Sequence, residues 1–391
     1  MAGSRWVGVG YQVAEVLRRA YATAVGRGSP AGTLDVLAQA VRLPAMPVRF
    51  SAERRQELER VAMGSNHLRP WYGPGEVDVV AEPDSEVDPL LREIEWLVRR
   101  TAGRLGRVSV AQVEPWSARP RWTPATRVLL GNTLAEAWVR GVTFAGLSHL
   151  LLAMQRLRDC DGARQLARTG VRHSTGLTRL VALDEESAPY PDAFMVDLEP
   201  AAKRRGPVAW FARFMIGQSP IDMPLGEARA DIKAQAVRLD HGVAGAGHAL
   251  LALLRADECL GAKRVRLPPR VRARGRGADL LRAAGMNPYR LAAKLSALPP
   301  LPDPDPGSLA AQLRWLRRGD PFLSDELVRA EERAGEISRE HGHTGTGTTH
   351  FLLALLEAPS TGPLLAACRV DGAALRTRTK AELGRLSGAR T

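Results

Sequence analysis

Three segments of this 391-residue chain read as copies of one another: "VTFAGLSHLLLAM" (142–154), "GVAGAGHALLALL" (242–254) and "HTGTGTTHFLLALL" (343–356). Each passes from small residues and glycine to a histidine and then into a leucine-rich run. The histidines, His149, His248 and His350, lie 99 and 102 residues apart, and Gly146, Gly245 and Gly347 stand three positions before them. Such a repeat constrains the fold strongly, because one copy cannot bury its apolar face without packing on another.

The flanks repeat as well. Upstream lie "TPATRVLLGNTLAEAWVRG", "PLGEARADIKAQAVRLDHG" and "LSDELVRAEERAGEISREHG", each with apolar residues three and four apart and a closing glycine, the pattern of an amphipathic helix and its stop. Downstream lie "GARQLARTGV", "GADLLRAAGM" and "GPLLAACRVD", followed by a last helix for which Asn287 and Asp371 are placed as N-caps. A fourth, degenerate copy opens the chain at 13–41, with Asp35 where the others have histidine. The expected fold is therefore all-α, with no stretch that alternates as a strand does.

The glycines serve chain reversal, and the histidine sits in the first turn of a helix, where local packing and hydrogen bonding account for it. "GVAGAG" follows a helix rather than a strand, which argues against a phosphate loop. His341, His343 and His350 place three imidazoles within ten residues, but a metal needs a fourth ligand, and the other copies show no evident equivalent of His343. His67, His173 and His241 read as surface residues.

Composition narrows the function classes. No run of about 18 apolar residues is present, and the N-terminus lacks the order of a secretory signal, so the expected compartment is the cytoplasm. Cys160, Cys259 and Cys368 are far apart and form neither a disulfide framework nor a cysteine-rich zinc site. The formal charge of +13 rests on 55 basic residues of which only five are lysine, an arginine bias that weakens charge as evidence for a nucleic-acid partner. Seven of the basic residues, Lys263, Arg264, Arg266, Arg270, Arg272, Arg274 and Arg276, form one loop without an acid. The chain has no Gly-Lys dipeptide, hence no G-x-x-x-x-G-K-[ST] loop for nucleotide, and neither G-x-S-x-G nor H-E-x-x-H. No enzyme activity and no cofactor are expected.

Helix, glycine loop, G-[small]-x-H with L-L-x-L-L, then G-A-x-x-L-L and a capped last helix together resemble the Clp repeat of the N-terminal domains of Clp chaperones such as ClpA and ClpC. The resemblance covers 123–181, 224–295 and 323–384 closely and 11–63 weakly. It implies tandem four-helix repeats, three clear and one degenerate, in two pseudo-symmetric double-repeat domains. These are placed at 1–183, which includes an insertion at 64–121, and at 223–391, joined by a linker at 184–222 with an apolar patch around Trp210, Phe211 and Phe214. In the family, such domains dock substrates or adaptors onto a motor. In ClpC-like domains that bind phosphoarginine, an acidic residue precedes the motif histidine and pairs with the guanidinium. Here Ser148, Gly247 and Thr349, with Leu34 in the degenerate copy, hold those candidate ligand-pocket positions, so loss of phosphoarginine recognition is expected. The resulting expectation is a motor-less binding protein with a protein or peptide partner: a Clp ATPase, its substrates, or a ligand of its N-domain. The alternative is a nucleic-acid-associated protein using the 263–276 loop; no membrane role is expected.

Overall fold

The computed structural model describes residues 8–43, 87–105, 122–142, 144–168, 222–262, 269–303 and 320–388, with Ala52, Glu53, Gln56, Arg60 and Glu76. The chain divides into two compact units, Met1–Tyr190 and Pro191–Thr391. Unit 1 contains α1 (Tyr11–Gly26), α2 (Thr33–Ala40), α3 (Val87–Leu105), α4 (Pro124–Val139), α5 (Leu147–Leu157) and α6 (Asp161–Arg168). Unit 2 contains α7 (Met223–Arg238), α8 (Ala246–Ala262), α9 (Pro269–Arg274), α10 (Gly277–Ala283), α11 (Pro288–Ser296), α12 (Asp325–Glu340), α13 (Thr348–Glu357), α14 (Thr361–Ala367) and α15 (Gly372–Gly388). The described residues are mostly helical, as expected. Of the linker placed at 184–222, all but Asp222 lies outside the described residues, and Asp222 is not linker: it is the N-cap of α7.

The opening helices of the four repeats, α1, α4, α7 and α12, stop by one device. Beyond each C-cap stands a left-handed residue: Gly28 (φ 68°), Gly141 (φ 72°), Asp240 (φ 60°) and Gly342 (φ 65°). The next amide then reaches back over the last turn, Ser29 to Ala24 (3.0 Å), Val142 to Ala137 (3.1 Å), His241 to Ala236 (2.8 Å) and His343 to Ser338 (2.9 Å), satisfying carbonyls that the helix leaves open. In the third repeat the stop falls at Asp240, two residues before the expected Gly242. Aspartate tolerates the left-handed region better than most residues.

Within each unit the two repeats interlock through their backbones. The N-cap residue of each opening helix donates its N–H to the carbonyl that precedes the second helix of the other repeat: Gly10 to Ala145 (2.9 Å), Thr123 to Ala31 (3.0 Å), Asp222 to Thr346 (2.9 Å) and Ser324 to Ala244 (2.9 Å). Parallel two-residue ladders flank two of these bonds, Gly8–Val9 (β1) with Phe144–Ala145 (β2) and Val243–Ala244 (β3) with Phe322–Leu323 (β4), and Ala31 bridges Trp122. Ladders this short carry no alternation, so sequence periodicity could not reveal them. The degenerate first repeat thus pairs with the second, and the third with the fourth.

The leucine-rich second helices fill the cores. Every residue of α5 from Leu147 to Met154, and of α13 from Thr348 to Leu356, is buried, as befits helices that are apolar all round. In unit 1, α3 sets Leu90, Ile94 and Val98 into the same core as Leu17, Leu37 and Leu151, so the amphipathic helix of the insertion packs on its own chain. Tyr21 and Trp122 stack there with ring centroids 5.1 Å apart. Asn287 and Asp371 cap as expected: the Asn287 side chain accepts from the Tyr289 and Arg290 amides (2.9 and 3.3 Å), and Asp371 from Ala373 and Ala374 (both 3.0 Å).

Gly347 shows why glycine starts a second helix. Its φ of −108° suits any residue, but a Cβ there would lie 2.5 Å from the Arg274 carbonyl oxygen. Gly335, inside α12, has nothing within 4 Å of such a Cβ. Gly347→Ala should therefore destabilise unit 2 by about 1–3 kcal/mol, as overpacking does. Gly335→Ala should stabilise it by about 0.5–1 kcal/mol through lower chain entropy. Denaturant titration of the two variants checks the opposite signs.

Candidate functional site

The turn between the first and second helix of each repeat is closed by a side chain at the third helical position. His149 Nδ1 accepts the Gly146 amide (3.1 Å), His248 Nδ1 that of Gly245 (3.0 Å), and His350 Nδ1 that of Gly347 (3.0 Å). In the first repeat Asp35 Oδ2 accepts from Gly32 (3.0 Å), so aspartate and histidine do the same work. Each satisfies a helix-start donor that has no partner within its own helix.

Because Nδ1 accepts, the neutral imidazole must carry its proton on Nε2, which then donates. His350 Nε2 donates to His343 Nδ1 (2.7 Å), and His248 Nε2 to His241 Nδ1 (3.0 Å). His343 in turn donates from Nε2 to Ser387 Oγ (3.4 Å), whose hydroxyl lies 3.1 Å from the His341 carbonyl. His241 is therefore neither a simple surface residue nor without a counterpart: it is the equivalent of His343, and both occupy the position just past the left-handed stop. These ring nitrogens are engaged with one another and with the backbone. Among the described residues no group of three or more His, Cys, Asp or Glu side chains is arranged to hold a metal ion.

The four positions before the capping residue do not line an open pocket. Ser148 is 1% exposed and Thr349 0%, Leu34 is half-buried, and a Cβ on Gly247 would run into Leu295 and Leu364. Thr349 Oγ1 accepts the Arg276 amide (3.1 Å), and Thr348 Oγ1 that of Gly277 (3.0 Å), so these hydroxyls cap α10. A glutamate at 247 or 349 would bury a charge at the junction of two repeats rather than rebuild a surface receptor.

The end of the basic segment, 269–276, is also not a free loop. Lys263, Arg264 and Arg266 lie outside the described residues, and Arg270 and Arg272 are exposed on the short α9. Arg274 is buried, its guanidinium forked onto Asp222 (Nε to Oδ2 2.9 Å, Nη2 to Oδ1 2.8 Å) and reaching Thr344 Oγ1 (3.1 Å). Arg276 pairs with Glu382 (3.1 Å). Two of the seven positive charges are thus engaged within unit 2, which reduces the field offered to a polyanion.

A residue that sequence reasoning passed over, Glu76, is 0% exposed and sits at the corresponding junction of unit 1. Its Oε1 accepts from the Thr33 amide (2.5 Å) and the Thr123 hydroxyl (2.7 Å), its Oε2 from the Thr33 hydroxyl (2.6 Å) and the Asp161 amide (3.2 Å). Nothing in "GPGEV" announces this, because the partners lie 43 to 85 residues away.

Burial holds His248 down to about 4, with His241 adding to the effect, and holds His350 down to about 3, helped by His343, Arg274 and His341. Burial likewise lowers His241, against a smaller pull upward from Asp240. Between pH 6.5 and these depressed values the unfolded chain takes up protons that the folded unit refuses, so stability falls as pH drops through that window. The expected slope is about 1.4 kcal/mol per pH unit for each of His248 and His350. His350→Asn, which keeps an oxygen acceptor as Asp35 does, should remove one such contribution. Urea unfolding of unit 2 at a series of pH values measures the difference in slope between parent and variant.

A search of curated proteins found no match. The fourth repeat, with its left-handed stop at Gly342, its capping His350 and its closing helix α15, coincides with a known family: residues 323–391 match the Clp repeat (R) N-terminal domain.

Proposed function

We propose that this chain is a Clp N-domain-like binding protein with no motor within its 391 residues, acting in the cytoplasm as an adaptor, regulator or ligand-capturing decoy for a Clp chaperone or protease. The observation that carries this reading is the family match of the fourth repeat, set in a unit whose third repeat reproduces its turn, its cap and its backbone interlock. Non-catalytic binding is favoured because, among the described residues, Asp35, Glu76, His248, His350 and Arg274 at the junctions are each engaged in capping or pairing within their own unit. A protein or peptide partner is favoured over nucleic acid because Arg274 and Arg276, the end of the basic segment, are paired with acids of their own unit. No described helix is long and apolar enough to cross a membrane. Phosphoarginine is not the expected ligand, since the positions that would hold its guanidinium acceptor carry no charge.

The test is a reconstituted ClpC-type ATPase with its protease, degrading a labelled substrate in the presence of excess chain. An adaptor accelerates degradation, and a decoy or regulator slows it. An unchanged rate together with no binding to ATPase, substrate or adaptor rejects the proposal. Calorimetry with ATP should show no stoichiometric binding; a tight nucleotide site would reject the motor-less reading.

A further inference from the structure

In unit 2 both turns that present an interlock carbonyl are closed by a pair of imidazoles. His241 and His248 bracket the turn whose Gly242 and Ala244 carbonyls accept the Phe322 and Ser324 amides (both 2.9 Å). His343 and His350 bracket the turn whose Thr346 carbonyl accepts the Asp222 amide (2.9 Å). Each pair therefore ties the end of an opening helix to the start of the next, across the residues that join one repeat to the other.

The proton count of each pair is full. A neutral pair carries two ring protons, both on Nε2, because both Nδ1 atoms are accepting: those of His248 and His350 from Gly245 and Gly347 (both 3.0 Å), those of His241 and His343 from the capping rings (3.0 and 2.7 Å). A third proton on the capping ring turns a donor towards the glycine amide. On the partner ring it turns a donor towards the capping ring's N–H. Either way a bond that closes the turn is lost, and the buried donor left behind is costly.

Unit 1 is built otherwise. In the first repeat Asp35 accepts from both Gly32 and Arg27, and burial pushes its carboxyl upward against the pull of Arg27, so its response to acid has the opposite sign. In the second repeat Val142 stands seven residues before His149, where the third and fourth repeats have histidine. The charges acting on the pairs of unit 2 are Asp240, which draws a proton towards His241, and Arg274 and His341, which oppose one at His350; Arg274 is itself paired with Asp222.

We propose that the two imidazole pairs are a proton-operated latch on the pairing of the third and fourth repeats: a proton taken up by either pair opens its turn and frees the backbone bond that the turn presents to the other repeat. The latch belongs to unit 2 alone and acts whatever partner the chain binds. Imidazole is the side chain suited to it, since its free form titrates just below neutrality.

The test is amide hydrogen exchange of the full chain, expressed as protection factors, between about pH 7 and about pH 5. Ser324 and Asp222, the interlock donors of unit 2, should lose about tenfold or more protection beyond any loss at Thr123, whose partner carbonyl lies in the turn closed by Asp35. Asparagine at all four positions (H241N, H248N, H343N and H350N) keeps an acceptor at each and takes up no proton, so the excess loss should vanish. Nitrogen NMR of the parent gives a readout that needs no variant. The Nδ1 atoms of His248 and His350 should be unprotonated near neutral pH, and proton uptake by the pairs should coincide with the loss of protection. Equal changes at Ser324, Asp222 and Thr123, a folded asparagine variant that loses protection as the parent does, or a protonated Nδ1 in His248 or His350 near neutral pH overturns the proposal.

Discussion

Four backbone hydrogen bonds organise this protein. Each runs from the N-cap of one repeat's opening helix to the carbonyl just before the second helix of its partner repeat, and within each unit they come as a reciprocal pair. The bond closes only if the opening helix stops where the chain can turn back and if the second helix begins close against its neighbour. The first condition is met by Gly28, Gly141, Asp240 and Gly342, the second by glycines such as Gly347, whose missing Cβ admits the Arg274 carbonyl. The apolar second helices then contribute to one shared core in each unit, where burial of side chains such as Leu151 and Phe351 supplies the main drive to fold.

The same geometry explains why a histidine is used at the start of an otherwise apolar helix. A buried amide at Gly245 or Gly347 needs an acceptor, and imidazole provides one while presenting a second nitrogen that must be satisfied in turn. In unit 2 that second nitrogen meets another imidazole, so the cap of one helix and the end of the preceding helix are joined through two rings. In unit 1, Arg27 and Asp35 make the corresponding link as an ion pair. One topological requirement is thus met by two chemistries of different pH response.

Much of this was legible in the sequence because it is local. The repeat spacing, the opening helices, the last-helix caps at Asn287 and Asp371 and the amphipathic face of α3 all follow from periodicity and short-range capping. What escaped was equivalence of role without identity of residue. Asp35 looked like erosion but accepts the same amide as the histidines, and His241 looked exposed because its partner lies seven residues on, in the next helix. The positions before the histidines looked available for a ligand, yet Ser148 and Thr349 are buried and Gly247 is closed over by Leu295 and Leu364, the last from the paired repeat, a fact that no single repeat's pattern contains. Glu76 and the Arg274–Asp222 pair are likewise long-range, and an arginine-rich stretch gives no sign of which guanidinium will turn inward.

The reciprocal interlock has a consequence for modularity. The recognisable family segment, 323–391, is one half of a pair: on its own it would leave the Ser324 amide and the Thr346 carbonyl facing water, and the apolar side of α13 without α8 and α10 to cover it. The unit on which inheritance and recombination can act without breaking the core is the pair, and a single repeat gained or lost would strand its partner. The smallest movable piece of this architecture is therefore twice the size of the motif by which it is recognised.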